Sequence, residues 1–138
     1  MTLNQPAPFE PTEVAAVLRA TSRILEVELN ALPPAALGWH FDPKEWCIKQ
    51  VLGHLIETEE GGFAGRIRMM LEVQDPQLVS LDQTAEALMR KDCERDATEL
   101  LREFLALRDA SCDLVEQLQD TDLQRGAWHP DVGYLRIT

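Results

Sequence analysis

Apolar residues recur at helical spacing over three stretches of the chain. Between Thr12 and Ala31, Val14, Val17, Leu18, Ile24, Leu25 and Leu29 follow an i, i+3, i+4, i+7 pattern. Thr12 is the expected N-cap, with Pro11 before it and Glu13 in the first turn, and Leu32-Pro33-Pro34 ends the helix. The second stretch runs from Ile48 to Leu71. Its stripe is Ile48, Val51, Leu52, Leu55 and Ile56, and it resumes at Phe63, Ile67, Met70 and Leu71. Gly61, Gly62 and Gly65 interrupt it. Each disfavours a helix interior by ~1 kcal/mol against alanine, so a close crossing, a kink or a break is expected there. The third stretch begins near Asp96, which forms a capping pair with Glu99, and carries Leu100, Leu101, Phe104, Leu107, Leu114, Val115 and Leu118.

The segments between are shorter. Asp82 is expected to cap a short helix through Lys91. Pro33 to Trp46 reads as a linker whose tryptophans, Trp39 and Trp46, lie against the core. Gln74 to Leu81 and the region marked by Gly126, Pro130 and Gly133 read as loops. No alternating pattern of strand character stands out. The fold class expected is all-α, a helical bundle, in a single domain over residues 1–138 with a flexible N-terminus at residues 1–11.

Charge narrows the function. The chain carries a formal net charge of −11. That field repels phosphate backbones and anionic membrane surfaces, and no run of Lys or Arg offsets it locally. Neither nucleic acid nor membrane is an expected partner; a small-molecule substrate or a protein is. No run approaches the ~18 apolar residues of a membrane span, and Met1 to Pro11 lacks the character of a signal peptide. Cys47, Cys93 and Cys112 form no Cys-x-x-Cys pair, so reduced thiols and a cytoplasmic location are expected.

The candidate chemistry is sparse. His54 sits at the edge of the second apolar stripe. Glu57 and Glu60 read as a solvated face, whereas Glu59 lies closer to the stripe and is a candidate for a buried pair with Arg66 or Arg108. Cys47 precedes His54 by seven residues, about two turns or ~10 Å, so the two cannot share an ion; Cys47 reads as structural. Trp46 and Trp128 are candidate pocket residues, with loop anchoring as the simpler reading. Gly61-Gly62-x-x-Gly65 follows a helix and precedes no Lys-Ser or Lys-Thr, so it is a weak phosphate loop.

Three segments, in order, carry a resemblance. Asp42-Pro43-Lys44-Glu45-Trp46-Cys47-Ile48-Lys49-Gln50-Val51-Leu52-Gly53-His54-Leu55, continued by Glu59, Phe63, Arg66 and Ile67, is the first. Phe104, Leu107 and Arg108 are the second, and His129-Pro130-Asp131-Val132-Gly133-Tyr134-Leu135-Arg136-Ile137-Thr138 the third. Together they resemble the DinB/YfiT-like helical bundles, in which the third segment leads into a fourth helix. The resemblance implies a four-helix bundle of which this chain covers three long helices. It also implies a divalent metal (Zn, Ni, Mn or Fe) held by one histidine of the second helix and a His-x-x-x-His pair of the fourth. His54 matches the first ligand. The pair has no counterpart, since the chain stops where that helix would begin, and neither His40 nor His129 replaces it by spacing. A fragment of a longer protein is the preferred expectation over a natural short form, because the break strands an apolar groove. In function the resemblance implies metal-dependent thiol transfer or hydrolysis on a small molecule, in a homodimer, with a stress-response association. The alternative is a non-catalytic helical dimerisation or interaction module.

Overall fold

The computed structural model describes residues 9–138. The expected flexible N-terminus therefore lies mostly outside the described residues. Helix α1 spans Pro11–Ala31, opened by Glu10, whose backbone N–H donates to the Glu13 carboxylate at 2.9 Å. The cap is thus Glu10, two residues earlier than expected, because Pro11 needs no N–H partner at a helix start. Leu32 and Pro33 end α1, and a single turn, α2, follows at Pro34–Leu37.

The second stretch is one helical run with a register change inside it. Helix α3 covers Ile48–Glu57, a π-helical turn covers Thr58–Phe63, and α4 covers Ala64–Glu72. The glycines mark that turn. Gly61 and Gly62 lie within it, and Gly65 leaves room for the Glu60 carbonyl, which a Cβ would overlap. An inserted residue of this kind is a frequent feature of functional sites, because it re-aims the side chains that follow.

Helix α5, Gln83–Arg90, and α6, Ala97–Glu116, start where sequence placed them. Asp82 accepts from the Ala85 N–H at 3.1 Å and Asp96 from the Glu99 N–H at 3.0 Å. A 3₁₀ turn at Asp92–Glu94 joins them. Another single turn, α7, follows at Asp120–Leu123.

The end of the described chain corrects an expectation. Gly126–His129 and Gly133–Arg136 are strands β1 and β2 of an antiparallel hairpin, with Trp128 opposite Tyr134 and His129 opposite Gly133. The region marked by Gly126, Pro130 and Gly133, expected as a loop, is this hairpin. A parallel bridge from Gln77 to Trp128, with the Leu78 N–H donating to the Trp128 carbonyl at 2.7 Å, ties the hairpin to the loop after α4.

Helices α1 and α3 both pack on α6. The core at one end is Leu29, Leu37, Leu52, Ile56, Leu100, Leu101 and Phe104. Ala15, Ile67, Cys112 and Val115 fill the other end, and Met70 and Leu78 pack against Ala127 of the hairpin. Burial separates the faces of α1. Ala15, Ser22 and Leu29 face inward, whereas Val17 and Ile24, expected in the core stripe, are 61% and 59% exposed. No described helix is long and apolar enough to cross a membrane.

Candidate functional site

Helix α3 turns Leu52 and Ile56 into the core, which leaves His54 on its flank, half-buried. Three and four residues on, Glu57 and Thr58 share that flank. The π turn keeps Gly62 and Arg66 on it as well. Ser80, Leu81, Gln83 and Glu86 form one opposite wall, and the hairpin adds His129 and Asp131. Together these residues line a cleft of about 300 Å³.

The walls are held by short polar contacts. The Thr58 hydroxyl donates to the His54 carbonyl at 2.9 Å, and Arg66 donates to the Val79 carbonyl at 3.3 Å. Ser80 donates to Asp131 at 2.6 Å. The Asp131 backbone N–H donates to His129 Nδ1 at 3.1 Å, which leaves Nε2 as the ring nitrogen for any further partner. Trp46 packs on the His54 ring at 5.4 Å between centroids, and Trp128 packs on Tyr134 at 5.2 Å. Neither tryptophan lines the cleft directly; both hold elements that do.

Glu59 and Arg108 lie beneath this surface. Arg108 donates to Glu59 Oε1 from Nε at 2.7 Å and lies 2.6 Å away through Nη2. It also donates to the Leu18 carbonyl and sits over the Phe104 ring. The structure therefore pairs Glu59 with Arg108, not Arg66. Glu59 is 4% exposed, and its Oε2 has no hydrogen-bond partner. Glu57, expected in solvent, is half-buried and accepts from Arg90 at 2.9 Å.

Arg90 leads to a second cluster. Its guanidinium also grips Asp92, which is 1% exposed and shared with Arg95. Asp92 opens the 3₁₀ turn, and the next residue is Cys93. Cys93 Sγ lies 2.7 Å from Cys47 Sγ and 3.4 Å from His40 Nε2. These three are the residues among those described at which three potential metal donors converge. Burial pushes the Cys93 thiol up to about 11, the hydrogen bond to Cys47 adds to the rise, and Lys49 pulls against it. Sequence reading passed over this cluster because its members sit on two separate segments. His40 and Cys47 in one loop, both unassigned to the core stripes, were the available signal. The third cysteine, Cys112, lies in the core of α6, where burial raises its thiol as well.

Of the metal ligands that the resemblance implies, the described residues place His54 at the cleft. His54 and His129 both border it, but no set of three His, Cys, Asp or Glu donors converges around His54 among the described residues. The fold and the cleft define a helical bundle with an imidazole-bearing polar pocket. Residues 16–138 match the profile of the DinB superfamily, and the chain belongs to that family. Its fold is similar to a solved structure described as YfiT from Bacillus subtilis, a probable metal-dependent hydrolase with an unusual four-helix bundle topology. The TM-score is 0.82 at 18% identity, over 98% of this chain and 79% of that one. Among curated proteins, none matches this chain.

Proposed function

We propose that the His54 cleft binds a small polar molecule and that the chain catalyses its hydrolysis or a thiol transfer to it. One observation carries this reading: His54 of α3 and His129 of the hairpin border the same cleft with Arg66 between polar walls. Two imidazoles beside one substrate are suited to general acid–base work, one taking a proton from the attacking water or thiol and the other giving one to the leaving group. Arg66 supplies positive charge for a developing oxyanion. Because the Asp131 N–H occupies His129 Nδ1, any proton that this ring exchanges with a bound molecule passes through Nε2.

The test is turnover of a panel of small esters, amides and electrophiles with thiol acceptors. His54→Ala and His129→Ala are each expected to lose on the order of 10²–10⁴-fold in rate while keeping the wild-type circular dichroism. A wild-type protein inert toward the whole panel, or variants that turn over normally, would defeat the reading.

The exposed face of α1 favours a second reading, a dimerisation module. Val17, Ile24 and Val27, 61%, 59% and 69% exposed, follow one another at seven and three residues and share one face. Sedimentation should show a dimer that Ile24→Glu dissociates; a wild-type monomer counts against it.

A further inference from the structure

We propose that His40, Cys47 and Cys93 form a binding site for one thiophilic divalent cation of the zinc class, separate from the His54 cleft.

The donor atoms are already gathered. Cys47 Sγ, Cys93 Sγ and His40 Nε2 all lie within 4.8 Å of one another. With metal–sulfur bonds of ~2.3 Å and a metal–nitrogen bond of ~2.0 Å, tetrahedral angles place sulfur and nitrogen ~3.5 Å apart and the two sulfurs ~3.8 Å apart. The sulfur–nitrogen distance is 3.4 Å as it stands. The sulfurs, at 2.7 Å, must part by about 1 Å. Cys93 sits on a short turn and His40 on a loop, so each can give that distance without moving a long helix.

The histidine is set for ligation. Its Nδ1 donates to the Glu45 carbonyl at 2.7 Å, which fixes the proton on Nδ1 and leaves the Nε2 lone pair aimed at the sulfurs. An imidazole oriented through its second nitrogen by a carbonyl is the usual arrangement of metal-bound histidine. Two thiols in simple contact have no need of it. Cys47 is also the residue that opens α3, where the helix dipole favours a thiolate.

Donor softness selects the ion. Two sulfurs and an imidazole suit zinc and disfavour magnesium, calcium and manganese. Two thiolates, a neutral imidazole and a divalent ion sum to zero charge. Uptake of one ion therefore releases the two thiol protons and adds nothing to the −11 of the chain. Three protein ligands leave a fourth position for water or a small exogenous ligand. Bound there, the ion would clasp the loop carrying Trp39, Phe41 and Trp46 to the turn that follows α5. Trp39 and Phe41 are exposed, so little apolar burial holds this loop in place.

The experiment uses the whole chain, stripped with a chelator under reducing conditions and titrated with cobalt(II). One cobalt per chain is expected, with thiolate-to-cobalt charge transfer in the near ultraviolet and strong tetrahedral bands in the red. Zinc should displace it and should raise the thermal midpoint. Cys93→Ser should lose the charge-transfer band and the zinc-dependent stabilisation. His40→Ala should weaken binding by more than the ~10–100-fold that loss of an outer hydrogen bond brings. His54→Ala should leave the cobalt bands and their titration unchanged, which separates this site from the cleft. Cys93 is half-buried, so its serine variant is expected to fold even if a Cys47 variant does not. Absence of the thiolate band in the reduced wild type would overturn the proposal, as would its persistence in Cys93→Ser. An isolated chain two hydrogens lighter by intact mass, still binding no cobalt after reduction, would show a disulfide instead and overturn it equally.

Discussion

The His54 cleft and the His40–Cys47–Cys93 cluster are joined through Arg90, which holds Glu57 of the cleft and Asp92, the residue before Cys93. The cleft is rich in chemistry but divergent. It has two imidazoles, three carboxylates and a guanidinium, spread around about 300 Å³. The cluster is poor in charge but convergent, with three soft donors meeting on one point. A count of ligand-type residues favours the cleft, whereas geometry favours the cluster. What decides a metal site is the meeting of lone pairs at bond length from one centre, in a tautomer fixed from behind. What suits an acid–base site is the reverse: separated groups with room for a substrate between them. The difference assigns distinct roles to His54 and to His40, which spacing alone had set aside, and turns His40 from a bystander into a ligand.

The link between the regions offers the strongest way to break this contrast. Gly53 of α3 faces the carboxylate of Asp92, and a Cβ there would overlap it. Asp92 in turn holds Arg90 and Arg95, while Arg90 also holds Glu57 on the cleft side and Cys93 follows on the cluster side. Gly53→Ala must therefore expel a buried, paired carboxylate. Overpacking and loss of the buried pair together should cost ~4 kcal/mol or more, a large share of the 5–15 kcal/mol typical of a domain. Both cobalt binding and turnover should fall with it. Gly38→Ala, whose added Cβ meets only the end of Lys49, should stay within ~0.5 kcal/mol. Urea denaturation of the pair checks this. A Gly53→Ala protein with the wild-type midpoint and both activities intact would mean that the two regions are not linked through Asp92.

The helices were legible because their signals are local. Asp82 and Asp96 cap where their spacing to the apolar stripes requires, and the prolines after Leu32 end α1. The three glycines after Glu60 announced a disturbance, but only the fold reveals it as a π turn. The hairpin was missed for a physical reason. Gly126-Ala127-Trp128-His129 and Gly133-Tyr134-Leu135-Arg136 are four residues each, and small buried residues at 126 and 127 hide the alternation. His129 was accordingly dismissed on spacing, since its approach to His54 depends on that hairpin. His54 and Glu59 could be named because they sit on a periodic helix, and Arg108 because its stripe is continuous. The cysteine cluster had no such frame. Cys47 and Cys93 lie 2.7 Å apart only because Asp92 anchors the turn that carries Cys93.

The hairpin also sharpens the contrast, because the cleft depends on it and the cluster does not. Tyr134, the single tyrosine of the chain, donates its hydroxyl to Asp75 Oδ1 at 2.7 Å and packs on Trp128, opposite which it pairs in the sheet. That hydrogen bond is the main cause of a raised phenol pKa, with burial and the Asp75 charge acting in the same direction and Arg136 opposing. The sign follows directly. The folded pKa lies above the unfolded one, so the contribution to stability is complete below the ordinary ~10 of tyrosine and is lost as pH rises through the folded value. A spectrophotometric titration of the phenolate, free of any other tyrosine, should give a midpoint above ~10 that Asp75→Asn lowers toward it. The same substitution should slacken the strand pair that presents His129 and lower cleft turnover slightly, with cobalt binding at His40, Cys47 and Cys93 unchanged. Coincident titration curves for the wild type and Asp75→Asn would remove the Tyr134 anchor, and a parallel loss of cobalt binding would show that the cluster depends on the hairpin too.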